Sequence, residues 1–164
     1  MAITTVWRLD MKEVRQMMAE VLSLPSDRVI DANSEVDVSK MSFFITVLVM
    51  AQDDLGSEII YNGIEEVEKL SNLSELTLSI NAYGANSYDA INKLVMSMRL
   101  HFVYSRLKKL GIGYLRSSQI RSLPVTISGG KEQRAQVDLV FSISNKLNAD
   151  VKRGDTVQIN VEGS

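Results

Sequence analysis

Alternation of apolar and polar positions marks the clearest elements of this chain. From Glu75 to Tyr83, Leu76, Leu78, Ile80 and Ala82 point one way, while Thr77, Ser79, Asn81 and Tyr83 point the other. From Arg134 to Asn145, Ala135, Val137, Leu139, Phe141 and Ile143 alternate with Gln136, Asp138, Val140, Ser142 and Ser144. A closing strand is expected over Thr156–Glu162, after a turn at Arg153-Gly154-Asp155. Ser42–Ala51 is apolar on both faces and β-branched, which suits a strand covered on both sides. Gln52-Asp53-Asp54-Leu55-Gly56 reads as a turn, after which Glu58–Tyr61 completes a hairpin that Asn62-Gly63 ends. Gly113–Leu115 is a short strand or turn, and Ile120–Ile127 is a strand that Pro124 confines to an edge or a bend.

Helical spacing appears in two main places. Over Leu9–Leu22, Val14, Met17, Met18, Val21 and Leu22 form one stripe; Asp10 stands at the N-cap, Glu13 follows three residues on, and Pro25 closes the segment. A long helix is predicted over Ser87–Leu110, capped by Asn86 and ended by Gly111, with Lys108 and Lys109 in its last turn. It carries two stripes: Ile91, Leu94, Val95, Met98 and Phe102, then Met96, Leu100, Val103, Leu107 and Leu110. One stripe can cover a sheet; the other calls for the first helix or another chain. Ile64–Leu70 reads as a short helix with an acidic face. Residues 23–42 form a long surface loop or arm, with a short strand at Arg28–Asp31. The prediction is an α+β fold in one domain over residues 1–164: a mixed, largely antiparallel sheet with one long and one shorter helix packed on one face.

The Gly-Gly-Lys at 129–131 is not a phosphate loop. No glycine stands five residues before Gly130, Glu132 follows the lysine in place of Ser or Thr, and a strand follows in place of a helix. Ser128-Gly129-Gly130 instead supplies the loop of a hairpin between strands 120–127 and 134–145.

Composition narrows the chemistry. The 164 residues include no cysteine and one histidine, His101, which excludes disulfides and thiolate metal sites and leaves little for imidazole chemistry. The longest apolar run, 43–51, is too short to span a bilayer, and the first residues lack the pattern of a signal peptide. The net charge of −2 hides an asymmetry: residues 27–89 carry twelve acidic and three basic groups, residues 90–164 five acidic and twelve basic. The halves either interleave in space and cancel or attract head to tail between identical subunits.

No catalytic constellation, cofactor motif or metal-ligand spacing emerges. Asp53-Asp54 is a solvated turn in the simplest reading, because adjacent carboxylates point apart. GANSYD at 84–89 lacks the later glycines of a dinucleotide fingerprint, and no serine lies in a nucleophile elbow. Tyr104, Arg106, Lys108, Lys109, Tyr114, Arg116 and Arg121 are close in sequence, but the acidic first half argues against a dedicated nucleic-acid binder. Arg134, entering an apolar-faced strand at a loop edge, is either a solvated edge charge or the ion-pair partner of an acid on a neighbouring subunit.

The order of these elements carries a resemblance. A strand ending in AYG (82–84), a helix opening NSYDAINKL (86–94), the turn LPVTISGG (123–130), the strand EQRAQVDLVF (132–141) and a closing DTVQINVEG (155–163) follow one another. Over Val29–Glu162 the chain resembles the neck or tail terminator proteins of long-tailed bacteriophages, in which an Arg-Ala pair opens the alternating strand as Arg134-Ala135 does here. It departs from them at DANSEVDVSKM (31–41), which lacks proline.

The resemblance implies an α+β virion protein, assembled in the host cytoplasm, that catalyses nothing. Such proteins form a ring, usually of six copies, on the head-facing end of the tail tube; the ring stops tube growth and meets the head connector. DNA passing through the lumen touches it at most transiently. Candidate contact residues are Met96, Leu100 and Val103 of the second stripe, Arg121, Lys131, Glu132 and Arg134 about the 128–133 hairpin, and Asp53 and Asp54 on the acidic side. The rivals are a head–tail connector, a tail tube subunit, and a small α+β enzyme or ligand-binding domain. Long tubes of purified protein would mark the tube subunit, and a deep cleft lined by Asp53, Asp54 or His101 would revive the enzyme.

Overall fold

A computed structural model describes residues 2–127 and 130–152. In chain order the elements are β1 (Ile3–Trp7), α1 (Met11–Val21), a 3-10 turn (Ser26–Arg28), β2 (Val29–Asp31), β3 (Phe43–Asn62), β4 (Val67–Gly84), α2 (Ser87–Ser97), α3 (His101–Leu110), β5 (Ile112–Ser117), β6 (Arg121–Ser122), β7 (Val125–Ile127), β8 (Gly130–Glu132) and β9 (Arg134–Asp150). The expected closing strand at 156–162 and its turn at 153–155 lie outside the described residues.

The alternating segments form the centre of the sheet. β9 and β4 pair antiparallel along almost their whole length, from Tyr83↔Arg134 to Val67↔Asp150, and β3 lies antiparallel on the other side of β4. β2 adds to β3 in parallel at Val29–Asp31, which makes the sheet mixed but mostly antiparallel. β6, β5 and β1 follow one another along the outer side of β9. On β3, by contrast, β2 reaches only as far as Val47; from Leu48 to Asn62 the outer side has no strand partner among the described residues.

One face of this sheet is the core. Ile45 and Val47 of β3, Leu76, Leu78, Ile80 and Ala82 of β4, and Ala135, Val137, Leu139, Phe141 and Ile143 of β9 are buried together with Val14, Met17 and Met18 of α1, Ile91 and Leu94 of α2, and Val103 and Leu107 of α3. The period-two pattern put the β4 and β9 positions, and the helical pattern the α1 positions, on one face each. Asp10 caps α1, its carboxylate accepting the Lys12 amide at 3.0 Å.

Five expectations are corrected. The turn at 52–56 is not a turn: β3 runs unbroken from Phe43 to Asn62, with register shifts between Val49 and Ala51 and between Asp54 and Gly56 that set Met50 and Leu55 outside the ladder. Residues 64–70 are not a helix; a turn at 63–66 leads into β4. The long helix is two, because residues 98–100 break it: Leu100 is extended (φ −72°, ψ 146°), and the Ser97 hydroxyl donates back to the Lys93 carbonyl at 2.6 Å. Asn86 stands at the N-cap of α2 in a left-handed conformation without a side-chain cap bond. The 120–127 strand is divided between β6, which pairs with β9, and β7, which forms a separate hairpin with β8. Residues 128–129, between β7 and β8, lie outside the described residues. Within the loop at 23–42, Val29 and Ile30 are buried core residues, so the surface arm begins only after Ile30.

Gly84 shows why the strand ends as it does. Its φ of +117° is one that side-chain-bearing residues rarely adopt, and a Cβ there would stand 2.3 Å from the Ser42 carbonyl oxygen. Gln133 then anchors the exit to α2, its backbone carbonyl accepting from Gly84 N (2.9 Å) and its side-chain oxygen from Asn86 N (3.0 Å).

Candidate assembly surfaces

The core stops before the sheet does. Beyond Leu76 and Phe141 a polar seam crosses the helix side of the strands: Gln52 donates to Ser74 (3.4 Å), Ser74 to Asn72 (2.5 Å), and Asn72 to Asp54 (2.8 Å) and Ser57 (2.9 Å). The seam holds the bulge at Leu55, since Asp54 Oδ1 also accepts from the Gly56 amide at 2.9 Å. Asp54 is thus a staple of its own strand. Along the ribbon that β3 forms at the sheet's margin, from Val49 onward, its side chains are exposed, among them Val49, Met50, Leu55, Ile59, Ile60 and Tyr61, while β4 stays paired with β9 as far as Val67.

Ionic contacts lie on the opposite sheet face. Arg116 of β5 reaches across β9 to the Glu75 carboxylate with two bonds of 2.8 and 3.1 Å. Those bonds hold the Glu75 carboxyl below its ordinary range and raise the Arg116 guanidinium, to which the charge of Asp53 also contributes. Arg134 donates to Asn81 Oδ1 at 2.9 and 3.2 Å and lies 5.1 Å over the Tyr83 ring, which stacks on Phe44 at 4.7 Å. Its hydrogen bonds therefore go to its own sheet. Arg121 is exposed on β6, Glu132 is half-buried on β8, and Lys131 contributes its backbone to the same short strand.

The break between α2 and α3 resorts the two helical stripes. Met96 and Leu100 are exposed (68% and 59%), as the interface reading expected, and so are Phe102 and Tyr104. Val103 is not available: it is wholly buried in the subunit's own core, as its new helix turns it inward. The basic–aromatic run at 104–121 is dispersed. Arg106 pairs with Glu20 of α1, Arg116 with Glu75, and Tyr114 packs edge-on against Phe141 at 5.9 Å. His101 is exposed near Ser105 and meets no carboxylate.

Two features escaped the pattern. A groove of about 570 Å³ runs between α3 and β5, lined by Arg99, His101, Tyr104, Leu107, Ile112 and Leu115. The ribbon's turn holds Ile64 out, with Glu65 and Glu66 beside it. The Asn-Gly at 62–63 was the available signal for that turn, but the helical spacing of 64–70 obscured it. Among the described residues no three acidic or histidine side chains are placed to hold a metal ion.

Comparison with known proteins gives a family. The family model for the phage neck terminator protein matches residues 11–164. A chain in the virion of native gene transfer agent (GTA) particle superposes with a TM-score of 0.45 at 11% identity, covering 88% of this chain and 96% of that one. No curated protein matches.

Proposed function

This chain belongs to the phage neck terminator family and is a structural component of the virion neck, and we propose that it works there as a hexameric ring on the head-proximal end of the tail tube. The ring ends tube polymerisation and offers its other face to the head connector. A cyclic ring needs two unlike patches on each subunit, one meeting the other on the next copy. The observation that carries the reading is that the subunit has such a pair. On one margin of the sheet is the exposed apolar ribbon, whose residues 49–75 include seven acidic side chains and one basic. On the helix face α2 lies over β9 and β4 and α3 lies beside β5, with exposed Met96, Leu100, Phe102 and Tyr104 and with five basic side chains against one acidic over residues 87–111. Apolar area supplies the affinity, and opposite charge fixes the order of approach.

Electron microscopy of tails assembled with and without the chain tests the proposal. Tubes of uniform length capped by a ring are expected with it, and tubes of uncontrolled length without it. Tubes that stop at the same length in its absence would refute the terminating role, and long tubes grown from the purified protein alone would make it a tube subunit.

A further inference from the structure

At the ribbon tip Ile64 is 93% exposed, more than any other large apolar side chain among the described residues. The turn that carries it is fixed. Asn62 Oδ1 accepts the amides of Ile64 (3.0 Å) and Glu65 (3.3 Å), Glu66 is left-handed at φ 52°, and the Glu66 carbonyl accepts Val151 N at 2.9 Å. A presented side chain on so fixed a turn loses little freedom on docking. Among the described residues it has no packing partner in the core, and Glu65, paired with Lys69, and Glu66 flank it.

The α3–β5 groove has the complementary character. Its floor is apolar, with Met98, Leu107 and Ile112 buried beneath, while Tyr104 and Leu115 stand exposed at its walls and Arg99 at its mouth. Its volume of about 570 Å³ falls in the range of sites that enclose a ligand. The strand order puts the groove beyond the margin of the sheet opposite to β3. A tip-to-groove contact joins two different patches, and in a ring it carries on from copy to copy.

We propose that the β3–β4 turn of one copy seats Ile64 in the α3–β5 groove of the next copy, with Glu65 and Glu66 against Arg99. The proposal rests on the ring reading and names the contact that closes the ring.

The chain has no cysteine, so single introduced cysteines report on one position each. Ile64→Cys and Leu115→Cys chains are mixed on purified tail tubes, treated with a short bismaleimide and imaged in parallel. A cross-link between the two kinds of chain, with rings on the tubes, is expected. Rings without that cross-link, or with only Ile64→Cys chains joined to each other, overturn the contact and leave the ring standing. Absence of rings with the wild-type chain as well removes the ring reading and the contact together. A second variant needs no cross-linker. Ile64→Ser should leave the urea midpoint unchanged, because the side chain is 93% exposed, and should weaken tube capping by about tenfold or more. Capping at the wild-type level overturns the proposal. Glu65→Lys with Glu66→Lys should weaken capping likewise and regain it with Arg99→Glu; failure to regain it counts against the charge pairing.

Discussion

At the residue scale, the two features that most constrain the chain are a glycine and an ion pair. Gly84 ends β4 at a φ of +117° against the Ser42 carbonyl. Gly84→Ala should lower stability by about 1–3 kcal/mol from the backbone conformation alone, with the clash adding to it, as read from urea unfolding. The AYG ending of the strand thus has a steric cause. Glu75 works through charge. Arg116 holds its folded pKa below the ordinary carboxylate value, so the stability it contributes is present above that value and is lost as pH falls through the folded pKa. The urea midpoints of wild type and Glu75→Gln should differ at neutral pH and draw together as the pH falls below the ordinary carboxylate range; a difference that grows on acidification would contradict the sign.

At the element scale, the break at 98–100 decides what the helices bury. In one continuous helix Leu100 and Leu107 would share a stripe; in the structure Leu107 is buried and Leu100 exposed. Leu107→Ala should therefore cost about 2–5 kcal/mol, while Leu100→Ser should stay within about 0.5 kcal/mol. Equal effects in chemical denaturation would restore the single helix. The break carries no glycine or proline, and its causes are the Ser97 back-bond and the two faces that must pack, so periodicity alone could not place it. The same holds for β3. Gln52–Gly56 has turn composition, but Asp54 satisfies the Gly56 amide within a bulge and pairing with β4 continues beyond it. Over 64–70 the helical spacing even delivers a Glu65–Lys69 ion pair at 3.5 Å, and the β9 ladder still wins. Legible elements were those whose own side chains encode the environment: the alternating strands 75–83 and 134–145 and the capped first helix. Strand β1, five residues without clean alternation, carried too little pattern to be found.

At the scale of the whole molecule, the acidic and basic halves of the sequence partly interleave within one subunit. Arg106 and Arg116 of the basic half are already paired with Glu20 and Glu75 in the same subunit. The remaining acidic side chains are mostly on β3, β4 and the turn between them, and the remaining basic ones mostly on α2, α3 and the strands that follow. If those regions meet between copies, raising salt from about 0.1 M to about 1 M, which shortens the screening length from about 10 Å to about 3 Å, should reduce the fraction of capped tubes in micrographs. Capping that is indifferent to salt would assign the contact to apolar area alone. The family was legible from the order of elements and a few motifs, whereas the exposure of the second stripe was only partly so: Met96 and Leu100 are exposed, but Val103 needed the helix break to reveal it as core.

The bare outer rail of β3 has a consequence for handling the purified subunit. Among the described residues its amides and carbonyls from Leu48 onward have no strand partner; neither proline nor lysine interrupts the edge, and only two bulges and the acids Asp53, Asp54 and Glu58 stand against addition of an extended chain. Concentrated stocks kept apart from tails should therefore turn cloudy with thioflavin-positive fibrils, and a lysine introduced at Ser57 should keep them clear.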